Sequence, residues 1–130
     1  MPRLLLDTTV LIDALRGRGA AERLRSLRPG TEPPFVCAIN VEELWRGARG
    51  SEEGAIRKML AALQVAPLGR DEGELAGGWR REFAAKGVTL SQADCLIAAA
   101  AIGAGARLVT GNPADFPMAG LTVEHWPMGV

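Results

Sequence analysis

The feature that most constrains this chain is the alternation of short, wholly apolar runs with segments of helical length. Leu4-Leu5-Leu6, Phe35-Val36-Cys37-Ala38-Ile39 and Leu108-Val109 (within Arg107-Leu108-Val109-Thr110) show no apolar/polar alternation. A strand that is apolar at consecutive positions is one buried on both faces. Leu121-Thr122-Val123-Glu124 reads as a last strand, and residues 65–68 as a brief extended piece. Helical segments lie between. One contains Val10, Leu11, Asp13, Ala14 and Leu15. A short one over 20–27 is closed by Arg28-Pro29-Gly30. A third runs from Asn40 to about Ala48, and a fourth over 52–63 after a break at Gly50-Ser51. A fifth spans 71–85, interrupted at Gly77-Gly78 and ended by Lys86-Gly87, and the clearest spans 91–104 behind the N-cap Ser91. That last helix is small and apolar nearly all round, which predicts a central, buried position. Strands spaced by helices need crossover connections, so the expected class is α/β, a parallel sheet covered on both faces.

The 130 residues form one expected domain, 1–130, large enough to bury a core without disulfides. Cys37 and Cys95 stand alone in apolar surroundings and read as buried thiols in a reducing compartment. No apolar run approaches the roughly 20 residues that span a bilayer, and Asp7 arrives too soon for a signal-peptide core. A cytoplasmic protein with no membrane partner is expected. Formal net charge is zero, which argues against gripping nucleic acid through bulk charge alone. Lys58 and Lys86 are the only lysines beside many arginines; a GC-rich genome produces the same bias, so nothing rests on it.

The acids fall in a pattern. Asp7 directly follows the first strand. Glu42 and Glu43 sit in the first turn or so of the helix after the second strand, Asp94 in the first turn of the central helix, and Asp115 just after Gly111-Asn112-Pro113. Ligands of open parallel sheets bind beyond the carboxyl ends of the strands, and that is the edge these acids share. Singly, each has a bland explanation. Asp and Glu suit any first helical turn. Asn40-Val41-Glu42-Glu43 reads as a capping box, Ser91-Gln92-Ala93-Asp94 as a close variant, and Asp7 as a cap for a helix beginning at Thr8. Together they imply a cation, because clustered carboxylates repel one another unless a cation or a shared proton relieves them. Oxygen-only ligands select Mg²⁺ or Mn²⁺. Such an ion activates water against a phosphodiester, chemistry that needs no histidine. His125, alone on an expected edge strand, reads as structural.

These residues resemble a known family. Leu6-Asp7-Thr8-Thr9-Val10-Leu11-Ile12-Asp13 is similar to the opening strand and turn of PIN-domain proteins, in particular the VapC toxins of bacterial toxin–antitoxin pairs. Glu43-Leu44-Trp45-Arg46-Gly47-Ala48 resembles their second acidic motif. Asp94-Cys95-Leu96-Ile97-Ala98-Ala99-Ala100-Ala101 resembles the third, and the run from Leu108 through Asp115 to Phe116 the closing one. Each motif is weak alone; the ordered set spans the chain. The resemblance implies a PIN-like three-layer α/β/α fold with a central, mainly parallel sheet of four to five strands. It further implies a homodimeric Mg²⁺- or Mn²⁺-dependent endoribonuclease, neutralised by a cognate VapB-type antitoxin in a heterotetramer or larger assembly. Asp7, Glu43, Asp94 and Asp115 match the family's acids, with Thr8 and Thr110 as supporting hydroxyls. Asn112 stands where some relatives carry a further acid, so one or two ions are both open. Adjacent helical residues diverge by about 100°, so Glu42 and Glu43 are rivals, and the family register through Leu44 and Gly47 selects Glu43.

Trp45 is a candidate wall for an antitoxin groove, and Trp79, with Leu75 and Phe83 four positions away on either side, has core or dimer geometry. Base stacking by either is the lesser reading. Arg46, Arg49, Arg80 and Arg81 are candidate phosphate contacts. Three rivals remain. A nucleotide-binding module would want a Gly-x-Gly-x-x-Gly or a P-loop lysine, and the chain has neither. An aspartate-nucleophile phosphohydrolase would want an acid at position 9, where Thr9 stands. A catalytically inactive PIN-like or RNA-interaction domain would be expected to have lost acids that are all present here.

Overall fold

The computed structural model describes residues 2–27 and 30–129. Its sheet has five strands in the order β3-β2-β1-β4-β5, and every neighbouring pair is parallel. The strands are β1 (Arg3–Leu6), β2 (Phe35–Val36), β3 (Gln64–Val65), β4 (Ala106–Thr110) and β5 (Val123–His125). The helices are α1 (Thr8–Leu15), α2 (Gly19–Arg25), α3 (Ala38–Arg46), α4 (Glu53–Ala61), α5 (Arg70–Ala85) and α6 (Gln92–Gly103). The expected parallel α/β sandwich is therefore present, at the upper end of the strand count.

The consecutive apolar residues of the strands feed two cores. Leu5, Phe35 and Leu108 join the side built by α5 and α6, with Trp79, Cys95 and Ile97. Leu6, Val36 and Val109 point the other way, into a cluster with Val10, Leu11, Leu44 and Trp126. Successive side chains on a strand face opposite ways, so uninterrupted apolar runs were the condition for covering both faces. Both cysteines are free and buried. Among the described residues no helix is long and apolar enough to cross a membrane.

Several expected boundaries move. The second strand is only Phe35–Val36, because Cys37 turns into the N-cap of α3 and Ala38 already begins that helix. Asn40 is accordingly not a cap and Asn40–Glu43 not a capping box. Asn40 sits in the first turn, and its side-chain oxygen accepts from the Cys37 N–H at 2.8 Å. Glu42 and Glu43 fall beyond that turn, which holds no acid. The expected helix over 52–63 is a 3₁₀ turn, Gly50–Glu52, followed by α4. Helix α5 runs unbroken through Gly77-Gly78. A glycine costs a helix roughly 1 kcal/mol against alanine, and here both glycines face open space while Ala76 and Trp79 are buried. Burial of the flanking residues outweighs the penalty, and Trp79 belongs to the core. The last strand starts two residues later than expected and ends one later, at Val123–His125, with His125 exposed on the edge. The proposed stop at Arg28-Pro29 lies outside the described residues.

Candidate active site

The chain leaves β1 at Leu6 in register with Val109 of β4, and the Asp7 N–H extends that pairing by donating to the Val109 carbonyl at 2.9 Å. Asp7 is thereby fixed as the N-cap of α1, only 6% exposed. Its Oδ1 accepts from the Thr8 N–H at 2.8 Å. Its Oδ2 accepts from the hydroxyls of Thr110 at 2.8 Å and Thr9 at 3.2 Å. Those hydroxyls also accept from backbone, Thr9 from Gly111 N–H and Thr110 from Asn112 N–H, both at 3.0 Å. The two loops at the carboxyl ends of β1 and β4 are thus sewn together around one carboxylate.

A second network runs to α3. The Thr8 hydroxyl donates to Glu43 Oε1 at 2.6 Å and accepts from Asn40 Nδ2 at 3.1 Å. Asn40 is wholly buried, so its amide spends its oxygen on Cys37 and its nitrogen on Thr8. Glu42 instead faces outward and pairs with Arg46 at 3.5 Å. Glu43 is therefore the inward acid, on the helical face that the Leu44 and Gly47 register selects.

Asp94 is the third residue of α6, half-buried, behind the cap in which Ser91 Oγ accepts from the Asp94 N–H at 3.0 Å. Asp115 ends the exposed 3₁₀ turn Pro113–Asp115, and Asn112, just before it, is exposed. All the acids singled out from the sequence, with Thr8, Thr110 and Asn112, lie at or beyond the carboxyl ends of β1, β2 and β4 or in the first turn of α6.

The acids feel one another. Burial raises the Asp94 pKa above its ordinary value, the Ser91 hydroxyl opposes this, and the negative charges of Asp115, Asp7 and Glu43 add to the rise. Burial likewise raises Asp7, opposed by Thr110, Thr8 and Thr9 and assisted by Glu43. Among the described residues no three Asp, Glu, His or Cys side chains converge tightly enough to hold an ion as they stand. In kind, the donor set fits a hard cation: it is all oxygen, mutually repelling, and lacks a compensating cation among the ion pairs.

Sequence reasoning missed Thr9 and gave Asn40 the wrong role. Thr9 had a local signal, since a hydroxyl two residues after a capping Asp can close onto its side chain. Asn40 had none, because its partner Thr8 lies 32 positions away. Of the proposed phosphate contacts, Arg46 is spent on Glu42 and Arg80 Nε on the Leu90 carbonyl at 3.2 Å. Arg57 stacks over Trp45 at 4.9 Å.

The family model for the PIN domain matches residues 4–117. The ribonuclease VapC19 of Mycobacterium tuberculosis is 33% identical over 115 residues, covering 88% of this chain and 92% of that protein. DNA-bound VapBC from Salmonella typhimurium contains a chain that superposes with a TM-score of 0.83 at 25% identity, over 97% of this chain and 99% of that one. A toxin–antitoxin complex from Klebsiella pneumoniae contains another, with a TM-score of 0.77 at 26% identity, over 96% and 99%. Ordered acids at the sheet edge, the parallel α/β/α layers and these similarities converge: the chain belongs to the PIN-domain family.

Proposed function

We propose that this protein is a metal-dependent endoribonuclease, the toxin of a toxin–antitoxin pair. The observation that carries the reading is the gathering of Asp7, Glu43, Asp94 and Asp115, from four parts of the chain, at one edge of the sheet, where burial raises the Asp94 pKa and the charges of Asp115, Asp7 and Glu43 add to the rise. Such repulsion is retained where a cation relieves it. Asp7, Glu43, Asp94 and Asp115 would hold Mg²⁺ or Mn²⁺. When bound, the ion activates water and neutralises charge on a phosphodiester.

The remaining work falls to this chain's own residues. Thr9 and Thr110 both donate to Asp7 Oδ2, which opposes the effect of burial on the carboxylate and fixes its direction. Asn40 donates to Thr8, so the Thr8 proton points to Glu43 and fixes that carboxylate's orientation. Asn112, exposed beside Asp115, is placed to meet substrate or water. Support for the substrate and partner comes from relatives. VapC19 is a ribonuclease, and the Klebsiella pneumoniae neighbour sits in a toxin–antitoxin complex. A cognate VapB-type antitoxin, a homodimeric toxin and a cytoplasmic site of action complete the proposal.

The test is incubation of the purified protein with total RNA. Cleavage that requires Mg²⁺ or Mn²⁺, stops with chelator and is absent from a folded Asp94→Asn variant is expected. Failure of the folded wild type to cleave with either cation contradicts the reading and favours a PIN-like binding domain.

A further inference from the structure

One buried acid is left over. Asp13 is 1% exposed and, among the described residues, meets no cation; its partners are backbone N–H groups. Oδ2 accepts from Ala20 at 3.0 Å, in the first turn of α2, and Oδ1 from Gly129 at 2.9 Å, 116 positions along the chain. Its carbonyl accepts from the Arg18 N–H at 3.1 Å. The carboxylate therefore ties the start of α2 to the tail after β5, and the carbonyl of the same residue closes the Arg16-Gly17-Arg18 turn between α1 and α2. The turn depends on Gly17, whose φ is +69°. The tail lies beyond the stretch matched by the family model, which ends at residue 117.

Each clamped segment reaches the acidic edge at one residue, the tail at Met128 and the turn at Arg16. Met128 rests on the bare backbone of Gly111, between Thr110 and Asn112. A Cβ on Gly111 would come within 2.6 Å of Met128 Cγ and 3.4 Å of Thr9 Oγ1. Even so, Met128 is 43% exposed, one of few large apolar side chains in that state. Arg16 lines a shallow cavity of about 40 Å³ whose wall includes Glu43. Arg16 and Arg18 are exposed, and neither forms an ion pair among the described residues. An acidic centre repels a polyanion, so a strand entering it needs free cations at the rim. Arginine suits phosphate, and an exposed apolar side chain suits a base face.

We propose that Arg16, Arg18 and Met128 form a flank that contacts the RNA strand beside the acidic centre, and that Asp13 is the positioning residue holding them in place. This rests on the ribonuclease reading above. Arg16 and Arg18 contact phosphates; Met128 contacts a base.

The experiment measures binding of a fluorescent oligouridylate about 15 nucleotides long in the Asp94→Asn background, across a salt series, with cleavage by the otherwise wild-type protein assayed in parallel. Arg16→Ala and Arg18→Ala are each expected to weaken binding several-fold at low salt and to flatten the log–log salt slope by about 0.7. Met128→Ala is expected to weaken binding a few-fold, through lost apolar contact, with the slope unchanged. Arg107→Ala, at the far end of β4, leaves both unchanged. Asp13→Asn reproduces the combined loss alone, yet adds nothing in the Arg16→Ala/Arg18→Ala/Met128→Ala background. Surface variants that bind like the parent overturn the proposal while wild-type cleavage persists. So does an Asp13→Asn loss that survives in the triple variant, since Asp13 would then act only on folding. Absence of wild-type cleavage instead overturns the ribonuclease reading.

Discussion

Thr110, the last residue of β4, donates its buried hydroxyl to Asp7, the cap after β1, across 2.8 Å and 103 positions of sequence. The bond joins the central strand β1 to its neighbour β4 at the edge where the acids gather. It also makes Thr110 a bridge, since the same oxygen accepts from the Asn112 N–H. Thr110→Val keeps the shape and removes both functions. It is expected to cost about 1–3 kcal/mol through the buried groups left unpaired and to lower RNA cleavage or metal affinity by roughly 10–100-fold. Thr110→Ser is expected to restore most of each. Thermal unfolding beside a cleavage assay checks both; a silent Thr110→Val would remove Thr110 from the site.

Asp94 is raised above its ordinary pKa, so the folded chain binds its proton more tightly than the unfolded chain does. The ionised form therefore costs the metal-free protein stability at neutral pH, and that cost vanishes as pH falls below the unfolded value of about 3.9. Asp94→Asn is expected to abolish cleavage while raising the metal-free midpoint at pH 7, with the advantage shrinking on acidification. Added Mg²⁺ or Mn²⁺ should stabilise the wild type and not the variant. The cap survives the change, because the Asp94 backbone N–H that donates to Ser91 Oγ is untouched by it. A drop of about 0.5–2 kcal/mol, the size of a lost cap, with activity intact would mark Asp94 as structural.

Glu42 and Glu43 are neighbours with opposite fates. Glu42→Gln loses only an exposed pair with Arg46 and is expected to change stability by less than about 1 kcal/mol and to leave cleavage unchanged. Glu43→Gln removes the acceptor of the Thr8 hydroxyl and is expected to abolish cleavage. Equal activity of the two variants would contradict the assignment.

Asn40 acts on Glu43 through Thr8. Asn40→Ala leaves the buried Cys37 N–H without its acceptor, a cost of about 1–3 kcal/mol. It also frees the Thr8 hydroxyl to turn. Cleavage losses from Asn40→Ala and Thr8→Val are expected to be strongly non-additive in a double-mutant cycle; simple addition would mean that Asn40 serves folding alone.

Much of this was legible in the sequence because it is local. Leu4-Leu5-Leu6 and Leu108-Val109 could only be strands covered twice, and Ser91 before an alanine-rich run could only start a buried helix. Asp7 after β1 and Asp94 in the first turn of α6 lie where the sequence put them, whereas Glu43 falls deeper into α3 than expected. Boundaries and roles were lost where a partner was not evident from residue type. Asn40 looked like a cap, but it closes onto the N-cap Cys37 three residues back, so α3 starts at Ala38, and its amide nitrogen serves the distant Thr8. Gly77-Gly78 looked like a break until Trp79 was buried beside it. Asp13 looked like an ordinary helical acid because Ala20 and Gly129 meet it only in three dimensions.

The most direct test of the central claim is transcriptome-wide mapping of new RNA 5′ ends in a bacterial host after induction of this protein, with Asp94→Asn as control. New ends at defined sites with the wild type, absent with the variant, are the predicted result. No new ends, with both proteins folded and equally tolerated, would contradict an endoribonuclease built on these acids.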